Sequence, residues 1–86
     1  VSPQTLEEFL AKLRISPTST VERVARNIAS ARITAGKSVQ DVAAQTGMEM
    51  VDLTSIESGT RRASGTELVK IAEALDVLVD RFFIGI

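Results

Sequence analysis

Cysteine and histidine are both absent from this 86-residue chain. That absence excludes disulfides, thiolate metal centres, Cys or His nucleophile systems and histidine proton relays, so no metal site and no cofactor is expected. An intracellular, cytoplasmic protein is the simplest reading. Tryptophan and tyrosine are missing as well, and the only aromatics are Phe9, Phe82 and Phe83. The core must then be aliphatic and alanine-rich, which suits closely packed helices. Single-stranded nucleic acid is a poor ligand, because stacking platforms need surface aromatics. No apolar run approaches the ~20 residues of a membrane span, and Val1–Ser19 has no apolar signal-peptide core. No membrane partner is expected. The chain opens on Val1 rather than Met, which reads as a processed chain or one domain of something longer. Charge of one sign is lacking too: 10 basic against 11 acidic residues leave a net charge of -1. A polyanion binder is usually more basic, so composition alone argues mildly against nucleic acid.

What is present is a series of capped helices. Thr5 and Glu8 form a capping box before Leu6–Leu13, where Leu6, Phe9, Leu10 and Leu13 fall on one face. Ile15–Ser19 is turn chemistry around Pro17. Ser19 and Glu22 predict a second helix to about Ala35, stopped by Gly36, with Val21, Val24, Ala25, Ile28 and Ala31 or Arg32 inward. Ser38 caps a short helix ending near Thr46, and Gly47 breaks it. A further helix spans roughly Val51–Ser58 before Gly59. Ser64 and Glu67 open a helix to about Leu75, and a last short turn is expected around Val79–Phe83. No segment alternates with period two beside a hairpin signal, so no sheet is expected.

Gly36–Gly59 is the informative stretch, with two short helices separated by a glycine. For them to cross tightly, Val42, Leu53 and Ile56 must share a small core and Ala43 must stay small under the second helix. Gly47 must accept a positive φ, and Met48 must plug the gap between the helices. Thr46 stands where a larger apolar residue is usual.

With these positions filled, Val21–Phe83 resembles the XRE-type, lambda-repressor/Cro-like family. The resemblance rests on Val24-Ala25-Arg26-Asn27-Ile28 with Arg32, on Gly36-Lys37-Ser38, and on Ile56-Glu57-Ser58-Gly59 with Arg61 and Ser64. It extends over Leu68, Ile71-Ala72-Glu73-Ala74-Leu75 and Val77. It implies an all-α, five-helix lambda-repressor-like DNA-binding domain with an extra N-terminal amphipathic helix. Residues 1–19 would be that helix and a linker, and 20–86 the domain, with the helix-turn-helix core at 38–59. It further implies a structural ion pair between Arg32 and Glu57. Bases would be contacted by Glu49, Met50, Val51 and Ser55, with Thr54 near the edge. Lys37, Ser38, Gln40, Arg61 and Arg62 would hold phosphates of double-stranded DNA.

The chain departs from the family on its reading surface. Met50 and Val51 replace the usual polar readers and can touch only thymine methyls. Val39 stands where a Gln commonly opens the supporting helix, and Gln40 comes one residue late. Ser38–Gly59 holds Asp41, Glu49, Asp52 and Glu57 and no basic residue. The leading expectation is a sequence-specific transcriptional regulator acting as a homodimer. The competing one is a protein-interaction module on the same scaffold, with a protein partner in place of DNA. An enzyme is not expected, since the carboxylates read as caps and solvated faces. The apolar features have two readings. In one, the N-terminal stripe packs on the domain's own core and Phe82 closes the bundle. In the other, the tail residues Phe83, Ile84 and Ile86 form the dimer interface.

Overall fold

The structure, a computed structural model, describes residues 17–85. The expected helix at Leu6–Leu13 and the tail residue Ile86 lie outside the described residues. Four α-helices and a terminal 3-10 turn follow in order: α1 Pro17–Thr34, α2 Val39–Thr46, α3 Met50–Ser58, α4 Gly65–Leu75 and the turn Val79–Phe83. No strand occurs among the described residues.

The first helix begins at Pro17, earlier than a Ser19 cap predicts. Proline is tolerated in a first turn, where its missing N–H would have no partner anyway, so it does not hold the helix back. A division of the chain between residues 19 and 20 therefore falls inside the first turn of α1. The later boundaries follow their caps. Ser38 accepts from the Asp41 N–H and Asp41 accepts from the Ser38 N–H; Ser64 and Glu67 do the same for α4. At the far end of α4, Asp76 takes the left-handed conformation at φ 56 where glycine is usual, and the Asp76 and Val77 N–H groups close on Glu73 and Ala72 carbonyls.

The core lies where all these elements meet. Ile28, Leu53, Ile71 and Phe82 have no exposed surface, and Ala31, Val42, Ala43, Ile56, Leu68, Ala72 and Leu75 complete the cluster. α1 packs on the 3-10 turn and on α3, while α2 packs on α4 and α3. Phe82 thus closes the bundle. Its segment is pinned by Asn27, whose Nδ2 donates to the carbonyls of Phe82 and Ile84, both at 2.9 Å. No polar residue is buried among the described residues, so the polar groups that order the fold all work at its half-exposed rim.

Candidate nucleic-acid interface

The α2–α3 unit is built by residue size and by one turn. Ala43 is 4% exposed and Val42 1%, which lets α3 sit close over α2 with Leu53 and Ile56 facing in. Gly47 adopts φ 72 with no neighbour within 4 Å of where a Cβ would lie, so backbone conformation alone demands glycine here. Thr46 has its own reason. Its hydroxyl donates toward the Val42 carbonyl at 2.8 Å and the Ala43 carbonyl at 3.2 Å, and accepts from the Met48 N–H at 3.3 Å. The side chain satisfies orphaned groups of the turn that an apolar residue would leave bare. Met48 packs against the core, between the two helices.

Arg32 and Glu57 meet. Arg32 Nε lies 2.9 and 3.1 Å from the two carboxylate oxygens and Nη2 3.0 Å from one of them. Arg32 Nη1 also donates to the Lys37 carbonyl at 2.9 Å. The two side chains are 17% and 10% exposed, so the pair is largely shielded and locks the end of α3 to α1.

The outer face of α3 is free of such ties. Met50 is 50% exposed and Val51 65%, with Glu49 and Thr54 also exposed. Glu49 stands at the N-cap without capping anything through its side chain. Ser55 is half-buried, and its hydroxyl donates to the Val51 carbonyl at 2.8 Å, which leaves it an acceptor toward any outside group. Thr54 makes no side-chain hydrogen bond among the described residues, and it carries the freest hydroxyl of this face.

Of the five residues expected to hold phosphates, two are occupied inside the domain. Arg61 presents both ends of its fork to Glu67, with Nη1–Oε1 at 3.0 Å and Nη2–Oε2 at 2.6 Å. By sequence Glu67 reads as a cap, yet a carboxylate has lone pairs left after capping, and here they take Arg61. The Arg61 fork, followed by the Ser64 N–H, holds the Glu67 carboxyl down at about 2. Glu67 in turn raises the Arg61 guanidinium. Lys37 donates to Gln45 Oε1 at 3.0 Å and to the Ala74 carbonyl at 2.5 Å, so its charge sits on the C-terminal end of α4, where the helix dipole favours a cation. Ser38 Oγ accepts from the Asp41 N–H. The Asp41 carboxylate is lowered by the bonds from the Ser38 backbone and side chain and stays ionised. Gln40 and Arg62 are exposed and make no side-chain hydrogen bond among the described residues. At the tail, Phe83 and Ile84 are 43% and 57% exposed.

Two short helices crossing through a small residue, joined by a left-handed glycine and followed by two more packing elements, define a helix-turn-helix domain. The helix-turn-helix family model matches residues 28–82, and the chain belongs to this family, in its XRE-type branch of DNA-binding transcription regulators. Among solved structures it is similar to the restriction-modification controller protein C.AhdI from Aeromonas hydrophila. The two share 24% identity at a TM-score of 0.71, covering 73% of this chain and 96% of that one, a likeness of fold. No curated protein matches the chain.

Proposed function

We propose that this chain is a sequence-specific double-stranded DNA-binding transcription regulator acting as a homodimer, with α3 in the major groove. The carrying observation is the asymmetry of α3. Leu53, Ile56 and Glu57 are locked into the scaffold, while Met50, Val51 and Thr54 project from it unpartnered. Met50 and Val51 read thymine methyls, the Ser55 oxygen and the Glu49 carboxylate accept from exocyclic amines, and Thr54 adds a rotatable hydroxyl. Ser38, Gln40 and Arg62 hold phosphates; Lys37 and Arg61 serve the scaffold. Phe83, Ile84 and Ile86 join the two subunits and set half-sites about one helical turn apart.

One free cation on the loop of each subunit makes the salt dependence unusually shallow. Each neutralised phosphate contributes a slope of about -0.9 in log K against log salt, so a dimer using Arg62 twice gives roughly -2. Selection of duplexes from a random pool, followed by a salt titration of the enriched site, tests both parts. An enriched two-fold site with that slope is expected. No enriched site, or affinity that ignores salt, would overturn the reading. It would favour the protein-interaction alternative, whose supporting observation is the acidic and apolar surface formed by Glu49, Met50, Val51 and Asp52.

A further inference from the structure

An apolar groove of about 160 Å³ opens between α1, α3, α4 and the 3-10 turn. Val24, Ile56, Leu68 and Phe83 line it with carbon, one from each of these elements, and Arg61 and Arg62 of the connecting loop join the lining. We infer that this groove is a binding site for a small apolar monocarboxylate, an acid whose body is one aromatic ring or a branched alkyl chain of similar size. Its binding is independent of DNA, and its effect on DNA rests on the regulator reading.

Size and lining set the body of the acid. An apolar cavity of about 150 Å³ accommodates one benzene-sized molecule. Ile56 and Leu68 are already shielded, at 2% and 9% exposure, whereas Phe83 keeps 43% of its surface and gains cover from a guest.

The loop sets the head group. Arg61 Nε is buried and has no hydrogen-bond acceptor. The Glu67 carboxylate takes the Nη1 and Nη2 end of the same guanidinium, at 3.0 and 2.6 Å, and leaves the Nε flank unmet. Buried donors in folded proteins are paired with protein, ordered water or a ligand, so this one calls for an outside oxygen. Arg62 stands next in sequence, exposed and with no side-chain hydrogen bond among the described residues. A buried donor beside a free cation favours a carboxylate over a neutral carbonyl. A dianion such as a phosphate monoester is disfavoured, because Glu67 already brings a negative charge to Arg61.

Arg62 links the groove to the duplex. On the regulator reading it holds a phosphate, and a carboxylate in the groove competes for the same guanidinium. Bound acid therefore weakens duplex binding, and bound duplex weakens acid binding by the same factor.

NMR of methyl and arginine side-chain signals on the full chain, titrated with phenylacetate, tests the site without DNA. Saturable shifts of the Val24, Ile56 and Leu68 methyls and of the Arg61 Nε–H are expected, at about millimolar affinity for a ligand of about ten heavy atoms. Phenylacetamide has the same shape without the charge and should bind about tenfold more weakly; equal binding of the two overturns the carboxylate assignment. Val24→Phe fills the groove and should abolish the shifts while the helix signal by circular dichroism stays at the parent level. Arg62→Gln, on the exposed loop, should weaken phenylacetate about fivefold without touching the core. No saturable shift at about ten times the expected concentration overturns the site, as do shifts confined to residues outside the groove. Methyls that respond to protein concentration instead of phenylacetate assign the groove to a second copy and overturn it too. In the duplex titration, saturating phenylacetate should move the salt slope from about -2 toward zero. An unchanged slope with phenylacetate bound overturns the competition for Arg62. A chain that binds phenylacetate in the groove but no duplex overturns the regulator reading and supports the acid site.

Discussion

Removing Arg32 should cost this domain more than any other single surface-accessible change. Arg32→Ala deletes three N–H···O contacts to Glu57 and the bond to the Lys37 carbonyl. It leaves a carboxylate that is only 10% exposed without a donor. Breaking a buried pair on one side costs about 3–5 kcal/mol, and the residual solvent access of this one puts it at the lower end, about 3 kcal/mol. A domain this size has roughly 4–10 kcal/mol in total, so the loss is a large fraction. In melting temperature it amounts to about 12–24 °C, at 4–8 °C per kcal/mol. Helix signal by circular dichroism in urea is the assay, because the chain has no tryptophan or tyrosine to follow by fluorescence. Arg32→Met with Glu57→Met, which leaves no stranded charge, should lose much less than the sum of the two single changes. Arg32→Lys should fall between, since an ammonium cannot reproduce the fork. If Arg32→Ala costs under about 1 kcal/mol, or the double change costs the full sum, the pair is a solvated surface contact and the reasoning fails.

Three further outcomes follow from the geometry. The Glu67 carboxyl sits at about 2 instead of 4.5, chiefly through Arg61, so the folded state resists protonation. That stabilisation is complete above about pH 4.5 and disappears as pH falls toward 2. Urea midpoints measured down this range should fall, and Glu67→Gln should start lower at neutral pH and show a flatter acid arm. Asn27→Ala frees the carbonyls of Phe82 and Ile84 and should cost about 1–2 kcal/mol, with hydrogen exchange rising across Phe82–Ile84 before the rest of the domain. Ala43→Leu forces three additional heavy atoms into the tight α2–α3 crossing. It should cost roughly 1–3 kcal/mol and weaken any duplex binding beyond that, visible as lost Leu53 and Ile56 methyl contacts by NMR.

Local chemistry was readable in the sequence because caps and turns are written in adjacent residues. Ser38 with Asp41, Ser64 with Glu67, and the glycines at 47 and 59 place α2, α3 and α4 within a residue or so of where they lie. The 3-10 turn at Val79–Phe83 falls where it was expected. What the sequence could not disclose is how polar side chains are shared across the fold. Asn27 reaches carbonyls 55 and 57 residues away, and nothing near it in sequence signals a need for donors there. Lys37 finds Ala74 across 37 residues, and that bond draws it off the surface where a phosphate would meet it. Arg61 and Glu67 are only six apart, and that pairing was within reach. A glutamate already used as a cap still has lone pairs to offer, and a nearby arginine is the natural taker.

These assignments change what kind of binder the domain can be. Around the helix-turn-helix, Arg32 is committed to Glu57, Arg61 to Glu67, and Lys37 to the end of α4. The cations that a helix-turn-helix usually turns toward phosphates have gone into fastening the scaffold, and Arg62 is what the loop has left. Asp41, Glu49 and Asp52 meanwhile keep the approach to α3 negative. Electrostatic attraction, the cheap and sequence-blind part of DNA affinity, is therefore small for one subunit. On the proposed homodimeric reading, discrimination comes from shape and methyl contacts at Met50 and Val51, and affinity from presenting two such faces at once. On this view a monomeric variant, such as one with a lysine in place of Phe83, loses detectable binding altogether instead of binding half as well. The proposed homodimer is expected to keep its specificity at salt concentrations where a more basic domain would already have let go.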